Sequence, residues 1–76
     1  MPHVEIKCFS GRTDEQKRLC AQKVSEVIAE TLGCKTGSVS VAIKDVAESD
    51  WKAQVWEKCI VPDKAFLYKK PEYTCD

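Results

Sequence analysis

The sequence predicts an α+β protein built as one β-α-β unit followed by short helices. Two observations predict it: two segments that alternate apolar and polar residues, and one long helical repeat between them. At 76 residues the chain makes a single domain, residues 1–76.

The first alternating segment is His3 to Cys8. Val4, Ile6 and Cys8 share one side and His3, Glu5 and Lys7 the other, which reads as a half-buried strand. Ser10-Gly11 then makes a turn. Thr13 can cap a helix, with Gln16 three residues on to complete a capping box and Asp14 and Glu15 suited to the positive end of the helix dipole. Cys20, Val24, Val27, Ile28 and Leu32 recur at helical spacing, so the helix is expected from about Asp14 to about Leu32, stopping at Gly33. Residues Ser38 to Val46 alternate again, with Val39, Val41 and Ile43 on one face. A strand, a long helix and a second strand call for parallel pairing through a crossover. In the tail, Asp50 is expected to cap a short helix from Trp51 to about Lys58. A further turn is expected after Pro62-Asp63, docking Ala65, Phe66 and Leu67 on the core, with loose residues beyond Pro71.

Two strands are not an independent sheet, and a domain this small has little stability margin. Disulfides, a metal or association could supply the rest. The five cysteines, Cys8, Cys20, Cys34, Cys59 and Cys75, are odd in number, show no Cys-x-x-Cys pair and follow no apolar leader, so reduced thiols are expected. With His3 as the only histidine, no zinc site is expected. Association remains: the sheet is completed by pairing between copies. Twelve basic and twelve acidic side chains balance, which leaves no basic stripe for nucleic acid, and no apolar run could span a bilayer. A soluble cytoplasmic protein acting on a small molecule fits this composition.

Pro2 is the first candidate for chemistry. If Met1 is removed, it carries a free secondary amine at the start of a strand. An α-amino group titrates at about 7.7–8.0, and burial or nearby cations lower an amine further, into the range a general base needs. On position alone, a proline that merely starts an edge strand is the simpler reading. Arg12 offers a planar fork for a carboxylate or an oxyanion, yet alone it reads as a solvated charge. Phe9 and Trp51 could wall a pocket, or simply pack. Lys7 is a further cation on the polar side of the strand, and Glu5 a carboxylate there.

The runs Met1-Pro2-His3-Val4-Glu5-Ile6-Lys7, Gly11-Arg12-Thr13-Asp14-Glu15-Gln16-Lys17, Val24-Ser25-Glu26-Val27-Ile28 and Ser38-Val39-Ser40-Val41 resemble the 4-oxalocrotonate tautomerase family, in register and without gaps. Cys8-Phe9, Trp51, Trp56, Lys69-Lys70-Pro71 and Tyr73 resemble a longer, dimeric branch of that superfamily, which includes a tautomerase acting on enols of 2-oxo acids. The resemblance implies a β-α-β protomer with its pocket at a dimer interface. It implies Pro2 as general base and Arg12 as the grip on a substrate carboxylate, often from the neighbouring subunit. Trp51 then walls the pocket and keeps the proline amine's pKa low. A second family arginine falls on Ser40 here, which donates one hydrogen bond and brings no charge, so a monocarboxylate such as an aryl 2-oxo acid suits this chain better than a dicarboxylate. The implied reaction is a cofactor-independent, metal-free enol–keto proton transfer, on phenylenolpyruvate or 2-hydroxymuconate for example. Two alternatives stand beside it: a hydratase or dehalogenase of unsaturated acids, for which Glu5 is the only carboxylate in view, and a non-catalytic oligomeric module that keeps the scaffold.

Overall fold

The backbone is most constrained where it leaves the first strand. Gly11 takes φ 122, a conformation that suits only glycine, and two residues later Thr13 starts the long helix. The Thr13 hydroxyl accepts from Gln16 N–H at 3.1 Å, and the Gln16 side chain accepts from Thr13 N–H at 2.8 Å, so the capping box is complete. In a computed structural model describing residues 1–76, the first strand, β1, spans His3–Phe9 and the helix, α1, Asp14–Leu32. Gly33 ends α1 in the left-handed conformation (φ 73, ψ 54) and returns its N–H to Ala29 C=O. A 3₁₀ turn, Thr36–Ser38, leads into the second strand, β2, Ser40–Val46. The helix thus has the expected bounds. β2 starts two residues later than the alternation suggests, because Ser38 N–H is turned back to Lys35 C=O.

β1 and β2 pair in parallel, His3 opposite Ser40 through Phe9 opposite Val46. This register puts matching faces together. Val4, Ile6, Cys8, Val41 and Ile43 form the side that meets α1, and Lys17 on α1 ties to Asp45 on β2 at 2.9 Å. The helix meets the sheet along a seam that keeps Val24 and Ile28 of the expected set but is rotated away from the other three. Lys17, Ala21, Val24, Ser25, Ile28 and Ala29 are half-buried, whereas Cys20, Val27 and Leu32 face outward, Leu32 at 67% exposure. Small Ala and Ser side chains alternate with Val24 and Ile28 on the sheet side, while Cys20, Val27 and Leu32 are left outside.

The tail covers part of the opposite sheet face. A 3₁₀ turn, Glu48–Asp50, passes into a helix over Lys52–Ile60 with wide π-type turns, such as Val61 N–H to Trp56 C=O at 2.9 Å. Its inner face is Val55, Trp56, Cys59 and Ile60, and Val55 is the one buried residue of the chain. Asp50 does not cap this helix: Trp51 is the N-cap and no side chain bonds the first turn. The next turn, Lys64–Phe66, leaves Phe66 73% exposed, so only Leu67 of the expected trio is half-buried. Nor are the residues past Pro71 loose, since Tyr73 packs on Trp56 with ring centroids 5.4 Å apart. All five cysteines are free thiols, and no helix is long and apolar enough to cross a membrane.

The protomer is open for its mass. A folded monomer of 8.6 kDa exposes about 4,700 Å² by the usual scaling, and this chain exposes 6103 Å². Its radius of gyration is 13.8 Å, against about 11 Å expected for a compact domain of this length.

Candidate active site

The residues singled out in the sequence gather at the two ends of β1. At its start, Pro2 is half-buried and its C=O accepts from Ser40 N–H at 3.1 Å. Parallel pairing therefore brings the Pro2 backbone and Ser40 side by side. His3 Nδ1 lies 2.6 Å from Ser40 Oγ on the sheet face away from α1. Both His3 and Ser40 are exposed.

At the other end, the Gly11 turn swings Arg12 back so that Nη1–H donates to Phe9 C=O at 2.9 Å. One of the five guanidinium N–H groups is thereby used and the rest stay free. Phe9 meets Trp51 edge-on, with centroids 5.0 Å apart and an interplanar angle of 81°. Trp51 Nε1–H donates to Tyr73 Oη at 3.1 Å, so the tail is pinned over the strand end. Phe9, Arg12, Trp51 and Tyr73, with Lys7 and Cys8, line a cavity of about 420 Å³ whose wall is mostly apolar. Such a volume suits a small organic ligand.

These two half-sites are a strand apart. Seven residue steps of extended chain run from Pro2 to Phe9, about 23 Å at the rise of a parallel strand. No small 2-oxo acid spans that distance. Pro2 and Ser40 are brought together; Phe9, Arg12 and Trp51 are brought together; within one protomer the two groups do not meet. Trp51 accordingly lies away from the Pro2 of its own chain.

Between the half-sites the polar strand face is occupied by ion pairs. Glu5 contacts Lys44 at 3.5 Å and Lys7 at 3.4 Å. The charge of Lys44, then the hydrogen bond from Lys7, holds the Glu5 carboxyl below the usual glutamate value. Lys7 Nζ also donates to Cys59 Sγ at 3.1 Å, and that bond raises the lysine pKa against a smaller opposing effect of burial. A carboxylate held ionised by two ammonium groups is a weak base. A more charged cavity of about 480 Å³ lies beside this cluster, where Lys7, Lys44 and Lys58 face Asp45 and Asp50. It contains neither Pro2 nor Arg12.

His3 is the residue that sequence reasoning passed over. Its phase on β1 follows from the alternation, but its pairing with Ser40 follows only once the register is known. Tyr73 was noted through resemblance alone, since no periodicity links it to Trp51 across 22 residues.

A family model described as "Tautomerase enzyme" matches residues 2–56. Among curated proteins, "Tautomerase PptA" of Enterobacter sp. (strain 638) is 49% identical over 75 residues, covering 97% of this chain and 99% of that protein. "Tautomerase PptA" of Klebsiella pneumoniae (strain 342) is 47% identical with the same coverage. "Tautomerase PptA" of Escherichia coli O139:H28 (strain E24377A / ETEC) is 37% identical, again over 97% of this chain and 99% of that one. The relatives match the chain beyond residue 56, through most of the tail that closes the Arg12 cavity.

Proposed function

The chain belongs to the tautomerase family, an isomerase, and from that premise we propose that it interconverts the enol and keto forms of a small 2-oxo acid with Pro2 as base. The observation that carries this reading is the pairing of chemistries at the ends of β1. An amine and a hydroxyl stand at one end, and a guanidinium in an aromatic cavity stands at the other.

Removal of Met1 turns the Pro2 nitrogen from an amide into a secondary amine. The amine takes the enol hydroxyl proton and returns a proton to the adjacent carbon, so the substrate's atoms are conserved and the amine is regenerated. Ser40 O–H donates to the substrate oxygen on which charge develops. The carboxylate pairs with the free N–H groups of Arg12, and an aryl group packs against Phe9 and Trp51. With Ser40 in place of a second guanidinium, Arg12 is the one fork available for a carboxylate, which favours an aryl monocarboxylate such as phenylenolpyruvate.

The strand-length separation of the half-sites supports a site shared between copies, in which Pro2 of one protomer works with Arg12 and Trp51 of another. The surface excess supports it too. About 1,400 Å² of extra exposure is within the area per partner of an obligate homodimer. We take the assembly as a homodimer in the cytoplasm: the tail covers one sheet face, while the strand edges and the outer residues Val27 and Leu32 are left for a partner. The hydratase alternative is weakened by Glu5, whose carboxylate is held by Lys44 and Lys7 and is a poor activator of water.

The test is ketonisation of phenylenolpyruvate by protein whose intact mass shows loss of Met1. Turnover that disappears in protein retaining Met1, and falls steeply in Pro2→Ala, supports the amine as base. Equal turnover in both forms removes Pro2 from the chemistry. A processed, folded oligomer inert on enols of several 2-oxo acids favours the non-catalytic module.

A further inference from the structure

We infer that His3 is a positioning residue for this reaction: its Nδ1–H holds Ser40 Oγ as an acceptor and so leaves the Ser40 hydroxyl hydrogen free to point at the substrate oxygen beside Pro2. The inference rests on the tautomerase reading of Pro2 and deepens it.

Three observations carry it. His3 and Ser40 are register partners on adjacent strands, with Nδ1 and Oγ 2.6 Å apart. The Ser40 N–H is bonded to Pro2 C=O at 3.1 Å, so the sheet itself sets the serine beside the Pro2 backbone. The other polar side chain on this face of β1 near His3 is Glu5, and it is already taken by Lys44 and Lys7, which leaves the imidazole to Ser40.

The proton inventory decides the direction of the bond. A serine hydroxyl has one hydrogen and two lone pairs, and a neutral imidazole carries its hydrogen on one nitrogen only. If Ser40 donates to Nδ1, it has nothing left to give. Once the enol proton is gone, the substrate presents only acceptors: the enolate oxygen and the carboxylate. A hydroxyl able to stabilise that state must donate to it, so its oxygen must accept from His3. The Nδ1–H tautomer is the one that lets a neutral serine act where a guanidinium would otherwise supply donors, and Nε2 is left to solvent.

A double-mutant cycle on the processed oligomer tests this, with phenylenolpyruvate as the probe. Ser40→Ala removes the donor and should lower kcat on the order of 10²-fold, as loss of one oxyanion donor does. His3→Phe should lower kcat about tenfold with KM little changed, the worth of one orienting hydrogen bond. His3→Asn, whose amide N–H falls near the Nδ1 position, should recover most of that loss. In a Ser40→Ala background, His3→Phe should cost nothing further. An equal loss in both backgrounds, or full activity in His3→Phe, overturns the inference while leaving Pro2 as base. Failure of the parent reading shows separately, as unchanged turnover in Pro2→Ala. Independently of activity, ¹⁵N NMR of the His3 ring should find Nδ1 protonated in the neutral form, and an Nε2–H tautomer overturns the assignment.

Discussion

On the proposed roles, replacing Arg12 by alanine should separate substrate grip from proton transfer. Arg12 gives one N–H to Phe9 C=O at 2.9 Å, which holds the guanidinium at the mouth of a cavity of about 420 Å³. The remaining N–H groups are free to meet a carboxylate in a fork. A charge-assisted hydrogen bond is worth about 1.5–3 kcal/mol, and the arginine is exposed, which places the loss towards the low end. Arg12→Ala should therefore raise KM for phenylenolpyruvate by about 10- to 30-fold, with a smaller change in kcat. Arg12→Lys keeps the charge but loses the fork, because one ammonium cannot both bind Phe9 C=O and offer two parallel N–H groups. It should fall between the two. Initial rates of ketonisation over a range of substrate concentrations measure this. The methyl ester of the substrate is the control, since without a carboxylate the wild type and Arg12→Ala should handle it alike. Equal KM values for the acid in wild type and Arg12→Ala, or an ester penalised as much as the acid, would refute the carboxylate contact.

Two further outcomes follow from the same structure. Trp51→Phe and Tyr73→Phe each break the bond that pins the tail across the cavity. Each should cost about 1 kcal/mol, or roughly 4–8 °C in thermal midpoint, and the double variant no more than either single; additive losses would mean the two rings act separately. The folded-state pKa of Glu5 is depressed from 4.5 by Lys44 and Lys7, so its ion pairs stabilise the fold above that value and are lost as pH falls through the lower one. Glu5→Gln should lack this contribution near neutral pH and show a shallower fall in thermal midpoint below pH 4.5, and a melting profile parallel to wild type across the acid range would contradict it.

Local chemistry was legible in the sequence, and long-range placement was not. Thr13, Gln16 and Gly33 mark the ends of α1 through hydrogen bonds spanning a few residues, and the structure repeats them. The alternation around Val4, Ile6, Val41 and Ile43 marks both strands for the same reason. The seam of α1 is legible at Val24 and Ile28 but not at its edges, because hydrophobicity favours Cys20, Val27 and Leu32 while packing on the sheet takes Ala21, Ser25 and Ala29. The tail was misjudged at Asp50, Phe66 and Tyr73, where position depends on packing across the molecule. Pro2, Arg12, Ser40, Trp51 and Phe9 were readable as candidates through resemblance. Their division into two half-sites became visible only in three dimensions, because the sequence does not display the length of β1 as a distance.

The shared site is the central claim, and mixing two impaired variants at low substrate tests it most directly. Pro2→Ala and Arg12→Ala protomers, each matured without Met1, are unfolded together and refolded at equal amounts. If Pro2 of one protomer serves with Arg12 of another, random pairing leaves about a quarter of the sites intact and restores about a quarter of wild-type turnover at low substrate. Activity no higher than the average of the two parents, in a mixture shown by native mass spectrometry to contain the mixed oligomer, would place both residues in one protomer's site and contradict the account.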